Sequence, residues 1–167
     1  MQTVAGNFLA FAVTTLTKSQ SQIAKCVSQL SEDQMWHRGG DHENSVANLL
    51  LHLEGNMRQW ILHGVAGQPD VRQRDDEFTL APSTTSVHAI ATFNATLEET
   101  AAIIAVLPHE RLLEVTDPQP TGFDRHVAIL DAIFKVVGHV QLHAGQIILL
   151  TKQFVRHDLD LTIPRKR

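Results

Sequence analysis

Two histidines stand four residues apart in Val136-Val137-Gly138-His139-Val140-Gln141-Leu142-His143. Imidazoles at i and i+4 leave a helix in the same direction and can grip one metal ion. The segment around them is almost wholly apolar, and a buried polar side chain costs free energy unless it finds a partner. Spacing alone carries little weight. Ten histidines in 167 residues give about 0.6 such pairs by chance. A third ligand must come from another helix. His52, in Leu49-Leu50-Leu51-His52-Leu53-Glu54-Gly55-Asn56, is the strongest candidate. It lies about 100° around the helix from the Leu50/Leu53 stripe and so borders the core. Asn56 and His63 share its side, and Gly55 would let another helix approach closely. Taken singly, each histidine is better explained as a hydrogen-bonded core or rim residue. A pair on one buried turn plus a third on an apolar helix brings the ligand reading level with that one.

Three neutral imidazoles suit nickel or zinc. They leave a position open for water or substrate, as catalytic sites do. With no carboxylate ligand the ion keeps its full charge and can activate a bound water or thiol near neutral pH. Hydrolysis and thiol transfer both fit. Glu54, Asn56 and Gln146 are candidate bases or orienting groups, although Glu54 is better read as a solvated helix-face residue. Asp75-Asp76-Glu77 is read as capping or neutralising a helix end rather than as ligands. His37, His42, His63, His88, His109, His126 and His157 fall near loops, helix ends or the tail and are read as solvated. No Glu follows His139, which excludes a zincin protease. No Ser/His/Asp signature, phosphate-binding glycine loop or Glu-x-x-His di-iron pattern is present.

Four amphipathic stretches must position these residues. The first runs from about Val4 to Leu30, with Val4, Phe8, Phe11, Ala12, Leu16, Ile23, Val27 and Leu30 as its stripe. Ser31 and Gln34 form a candidate capping box for a short turn reaching Trp36, and Gly39-Gly40 breaks the chain. The second starts at Asn44 or Ser45 and continues to Gly64, with Val46, Leu50, Leu53, Met57 and Trp60 inward. The third lies between Pro82-Ser83 and Leu107-Pro108, with Val87, Ile90, Phe93, Leu97, Ile104 and Leu107 inward. The fourth runs from about Asp124 to Phe154. Ile129, Ala132, Ile133, Val136, Val140, Ile147 and Phe154 share its apolar face, with His143 inside that face and His139 at its edge. Leu142 and Leu149 fall on the polar side, as a contact with another chain or as scattered exposed leucines. Leu112-Leu113-Glu114-Val115 is read as briefly extended. Four such helices predict an all-α fold, a four-helix bundle, in one domain spanning residues 1–167. The connections at 65–82 and 108–123 are longer than usual helix–helix links.

The net charge of −4 and the lack of a basic block argue against a nucleic-acid partner. Arg165-Lys166-Arg167 reads as a solvated basic tail. No uninterrupted apolar run reaches about 18 residues, so no membrane span is expected. Met1-Gln2-Thr3 carries no charged leader region. Cys26 is the one cysteine and is read as a core side chain. A lone thiol without a leader fits the cytoplasm.

Three segments together carry a family resemblance. They are Asn44-Ser45-Val46-Ala47-Asn48-Leu49-Leu50-Leu51-His52-Leu53-Glu54-Gly55-Asn56 with Arg58-Gln59-Trp60-Ile61, then Arg74-Asp75-Asp76-Glu77-Phe78, then Gly138-His139-Val140-Gln141-Leu142-His143-Ala144-Gly145-Gln146-Ile147. The chain resembles the DinB/YfiT-like superfamily over nearly its whole length. The resemblance implies an up-down-down-up four-helix bundle, often a homodimer, with a metal triad at His52, His139 and His143. Characterised relatives include thiol S-transferases using bacillithiol or mycothiol and a maleylpyruvate isomerase. It therefore implies a small-molecule substrate and a low-molecular-weight thiol as partner, although no segment matches a thiol-cofactor site. Catalytic residues are not identified. The rival readings are a non-catalytic metal or small-molecule binding module with a closed coordination sphere, and a purely structural bundle.

Overall fold

The computed structural model describes residues 3–116 and 126–161. The expectations placed on Met1-Gln2, on Asp124 and on Arg165-Lys166-Arg167 lie outside them. The described residues are helical, with α1 Val4–Val27, α2 Glu32–Trp36, α3 Val46–Met57, α4 Ser86–Ala105 and α5 Ile129–Phe154. The four long helices touch in a ring: α1 against α4, α4 against α3, α3 against α5, and α5 against α1. One hydrophobic core fills the ring, with Leu16, Ile23, Leu50, Leu53, Phe93, Leu97, Ile133, Val136 and Ile147 buried in it.

The helix starts follow from local chemistry. Ser31 and Gln34 close the expected capping box on α2. Ser45 and Asn48 close a second one on α3. Thr85 caps α4 through the His88 backbone N–H. Each box satisfies backbone donors that have no partner inside the helix.

Helix faces depart from the expected stripes in three places. In α1 the inward face runs through Leu9, Ala12, Leu16, Ser19, Ile23 and Cys26. Val4 and Phe11 are exposed, and the helix stops at Val27 rather than Leu30. Val87 in α4 is also exposed. The third departure is a π-helical segment, Arg58–His63, that continues α3. Its wider turn, with Gly64 N–H bonding Gln59 C=O, advances the inward face by one residue. Ile61 and Leu62 are therefore buried where Trp60 was expected, and Trp60 is only half-buried.

The long connections carry 3₁₀ turns at Arg74–Phe78 and His109–Leu113. The extended stretch expected at 112–115 is confined to its end. Val115 forms one antiparallel bridge with Ala128, after which α5 begins. Of the apolar positions expected inward on α5, Ile129, Ala132, Ile133, Val136, Val140 and Ile147 are buried and Phe154 is half-buried; Cys26 is buried in the core. By length and mean hydropathy α5 is apolar enough to cross a membrane, against the expectation from uninterrupted runs. His, Gln and Gly interrupt its runs without lowering its mean hydropathy much. Here its apolar face packs on α1 and α3.

Candidate metal centre

The α3 and α5 helices meet where His52 faces His139 and His143. The Nε2 of His139 lies 3.2 Å from Nε2 of His52 and 2.8 Å from Nε2 of His143. All three nitrogens lie within 4.8 Å of one another, and the group could hold a metal ion. Two nitrogens held about 2.0–2.1 Å from one ion, at angles between roughly 90° and 110°, lie roughly 2.8–3.4 Å apart. The His52–His139 and His139–His143 separations fall in that range.

Hydrogen bonds behind the rings fix which nitrogen faces inward. His52 Nδ1 lies 2.8 Å from Glu77 Oε2, and His143 Nδ1 lies 2.5 Å from Gln146 Oε1. Both partners are acceptors, and the Glu77 carboxylate lies nearer to His52 Nδ1 than Arg72 Nη2 does at 3.3 Å, so each Nδ1 carries the proton and each Nε2 presents a lone pair. His139 Nε2 sits between those lone pairs, while its own Nδ1 is buried without a hydrogen-bond partner. His139 can donate to one neighbour at most. Converging nitrogen lone pairs are what a cation satisfies, and this donor set fits a divalent ion.

Electrostatics keep the rings in their ligand form. Burial, with His143 and His52 beside it, pushes the His139 pKa down to about 3. Burial also lowers that of His143, against the Gln146 hydrogen bond. Both imidazoles are therefore neutral across the physiological range.

Glu77 was not foreseen in this place. Its side chain is 7 % exposed, and Oε1 accepts from Arg72 Nε at 2.6 Å. Oε2 accepts from Arg72 Nη2 at 2.8 Å as well as from His52. Burial alone would raise its pKa, but the hydrogen bonds from Arg72 and then His52 outweigh that and lower it. Arg72 also donates to Gln59 Oε1 at 2.6 Å. The loop carrying Arg72 and Glu77 reaches α3 because position 55 is glycine. A Cβ there would strike Glu77 Oε1 and come within 3.0 Å of Arg72 Nε. Gly55 thus admits a loop rather than the helix expected there. Asn48 anchors the next residues by donating to Glu77 C=O at 2.9 Å.

The remaining candidates separate from the centre. Glu54 pairs with Arg58 and accepts from Thr96, away from the triad. His63 bonds Gln68 C=O, His37 stacks edge-on against Phe154, and His109 approaches Thr3. Asp75 and Asp76 are exposed in the first turn of the 3₁₀ segment, and they line a groove of about 810 Å³. His52 and His139 lie in the wall of that groove with Asn56 and Trp60. Lys135 lies over the Trp60 ring at 5.1 Å. The signals that could have revealed Glu77 are faint: an acid beside Phe78 in a long loop, and a glycine one turn past Leu51.

No curated protein matches the chain. A family model covers residues 3–167, which is nearly all of it. The chain belongs to that family, described as a protein of unknown function (DUF1572).

Proposed function

We propose that the protein is a divalent-metal-dependent enzyme of the thiol S-transferase or hydrolase type, with His52, His139 and His143 as ligands and nickel or zinc as the ion. The convergence of three Nε2 atoms, two of them with lone pairs fixed inward, carries this reading. Such an ion, when bound, supplies a Lewis acid that brings the pKa of a coordinated water or thiol toward neutrality. The chain's own groups do the rest. Glu77 and Gln146 hold two of the rings in one tautomer. Asn56 offers a donor and an acceptor on the groove wall, and Trp60 offers a flat apolar surface for a small-molecule substrate. No fourth histidine, cysteine or carboxylate among the described residues joins the triad. That favours an open position over the closed sphere of a pure binding module.

The resemblance to DinB/YfiT-like bundles supports the same reading, and contacts at the helix ends favour the up-down-down-up order. Glu32, just beyond α1, accepts from Ser86 at the start of α4. Lys25, near the end of α1, donates to Asp160 C=O just beyond the end of α5. Thr3 and His109 join the start of α1 to the turn after α4.

Metal analysis of tag-free protein tests the proposal. About one equivalent of divalent metal is expected, with a rise in Tm on adding nickel or zinc. Ligand at 100 times its Kd stabilises the native state by about 2.7 kcal/mol. His139→Ala and His143→Ala should each abolish the rise. Metal below roughly a tenth of an equivalent, with no Tm shift on addition, would overturn the reading. A thiol-transfer screen with and without metal then separates transferase from hydrolase.

A further inference from the structure

Asn56, Trp60 and His139 wall the large groove and also a second, shallower hollow of about 380 Å³, which Lys135, Gly138 and Leu142 complete. At about 100° per residue, Lys135, Gly138, His139 and Leu142 share one face of α5. The π-helical segment that moves Trp60 off the core face supplies the facing wall. Packing of the protomer does not account for three features here. Leu142 is 60 % exposed. Gly138 has nothing within 4 Å of where a Cβ would stand, although glycine weakens a helix interior. Lys135 is half-buried, with its ammonium 5.1 Å over the Trp60 ring, whereas a surface lysine ordinarily carries its charge out into water.

The groove and the hollow differ in charge. Asp70, Asp75 and Asp76 line the groove and are exposed. Of its two arginines, Arg72 is paired with Glu77 and Arg74 lies over the Phe78 ring. Such a rim repels an anion. No acid lines the hollow, and Lys135 is its cation. We propose that the hollow binds a small organic acid with a short apolar body. The carboxylate meets Lys135 Nζ, and the body lies against Trp60 and Leu142. The bare backbone at Gly138 leaves room for it, and its uncharged end is turned to His139. A charge-assisted hydrogen bond to the ammonium fixes the ligand's direction. Binding in the hollow needs no ion. Its use for the substrate, which makes that substrate a carboxylic acid, rests on the metal-dependent reading proposed above.

Hexanoate, hexanamide and hexylamine share an apolar body and differ in charge, so together they test the site. In proton–nitrogen NMR spectra of the full, metal-free chain, hexanoate should shift the Trp60 indole and Gly138 amide signals saturably, with a Kd of about 1–10 mM. The chain has two tryptophans, so Trp36→Phe identifies the Trp60 signal. Hexanamide should bind roughly three-fold or more weakly, and hexylamine should leave both signals in place. Lys135→Met should bring hexanoate and hexanamide within about two-fold of each other, whereas Lys135→Arg should keep the preference. Gly138→Leu fills the hollow and should abolish binding of both without lowering Tm, since leucine suits a helix better than glycine. No shift of either signal at about 20 mM hexanoate overturns the proposal, as does equal binding of acid and amide or a preference that survives Lys135→Met. Hexanoate binding that requires nickel also overturns it, because the carboxylate would then sit on the ion rather than on Lys135. Hexanoate binding by a protein that takes up no metal supports the subsite and overturns only its use by a metal-dependent enzyme.

Discussion

Glu77 stands 25 residues from His52 in sequence, yet its carboxylate holds that ring and the Arg72 guanidinium together. Removing the negative charge should have two separable effects. Glu77→Gln leaves the Arg72 charge, 7 % exposed, without its partner, and breaking a buried pair in this way costs roughly 3 kcal/mol. It also weakens the hold on His52 Nδ1, and loss of such an outer partner lowers metal affinity roughly 10- to 100-fold. Adding Arg72→Met to Glu77→Gln should recover much of the stability but not the affinity. Thermal melts and nickel titration of both variants check this, and recovery of affinity in the double variant would show that Glu77 acts only through Arg72. Gly55→Ala should lower both stability and metal affinity, because its Cβ displaces Glu77 and Arg72. Unchanged melting and nickel binding in that variant would count against the close approach. The three histidines were legible in the sequence because their positions follow from helix periodicity on two apolar helices. Glu77 was not, because its partner lies across a loop whose path no local pattern encodes, and the triplet Asp75-Asp76-Glu77 gave no sign that one acid would be buried and two exposed.

At the scale of elements, the start of α3 sets where His52 points. Ser45 is fully buried, accepts from the Asn48 backbone N–H at 3.2 Å and donates to Asn48 Oδ1 at 2.5 Å. Asn48 in turn holds the loop that brings Glu77 to His52. Ser45→Ala removes a helix cap, worth about 1 kcal/mol, and leaves Asn48 short of a partner. It should therefore lower Tm and loosen metal binding although Ser45 touches no ligand. A loss of stability with metal affinity unchanged would confine Ser45 to capping. Helix starts such as this one were readable because capping is a four-residue pattern. Faces were less so. In α1, Phe11 fits an apolar period as well as Leu9 does, and only the neighbouring helices decide which turns inward. The π-helical segment after Met57 left no mark in composition. It nevertheless moves Trp60 off the core face and into the groove beside His139.

For the whole molecule, the buried imidazoles tie stability to pH. An unfolded chain protonates His139 and His143 near their ordinary value of 6.5, whereas the folded chain holds both lower, His139 down to about 3. Below pH 6.5 the unfolded state therefore binds more protons than the folded state, and stability falls as pH drops from there toward 3. Glu77 adds to the loss further down. Its pKa is lowered from the ordinary 4.5, so the stability it contributes is present above that value and disappears as pH falls through its folded value. Chelator-treated protein should thus melt at a nearly constant temperature from pH 8 to about 7 and at steadily lower temperatures below about 6.5. Metal ligation requires the neutral imidazole, and the folded chain keeps the His139 ring neutral down to about 3, so protonation of that ring should not diminish the rise in Tm on adding nickel over the same range. His139→Leu removes the group with the largest shift and fills its volume with an apolar side chain. It should flatten the slope of Tm between pH 6.5 and 4.5, where Glu77 does not yet contribute. Melting curves of both proteins across that range decide the matter: parallel curves would mean that other groups, and not the triad, carry the acid sensitivity.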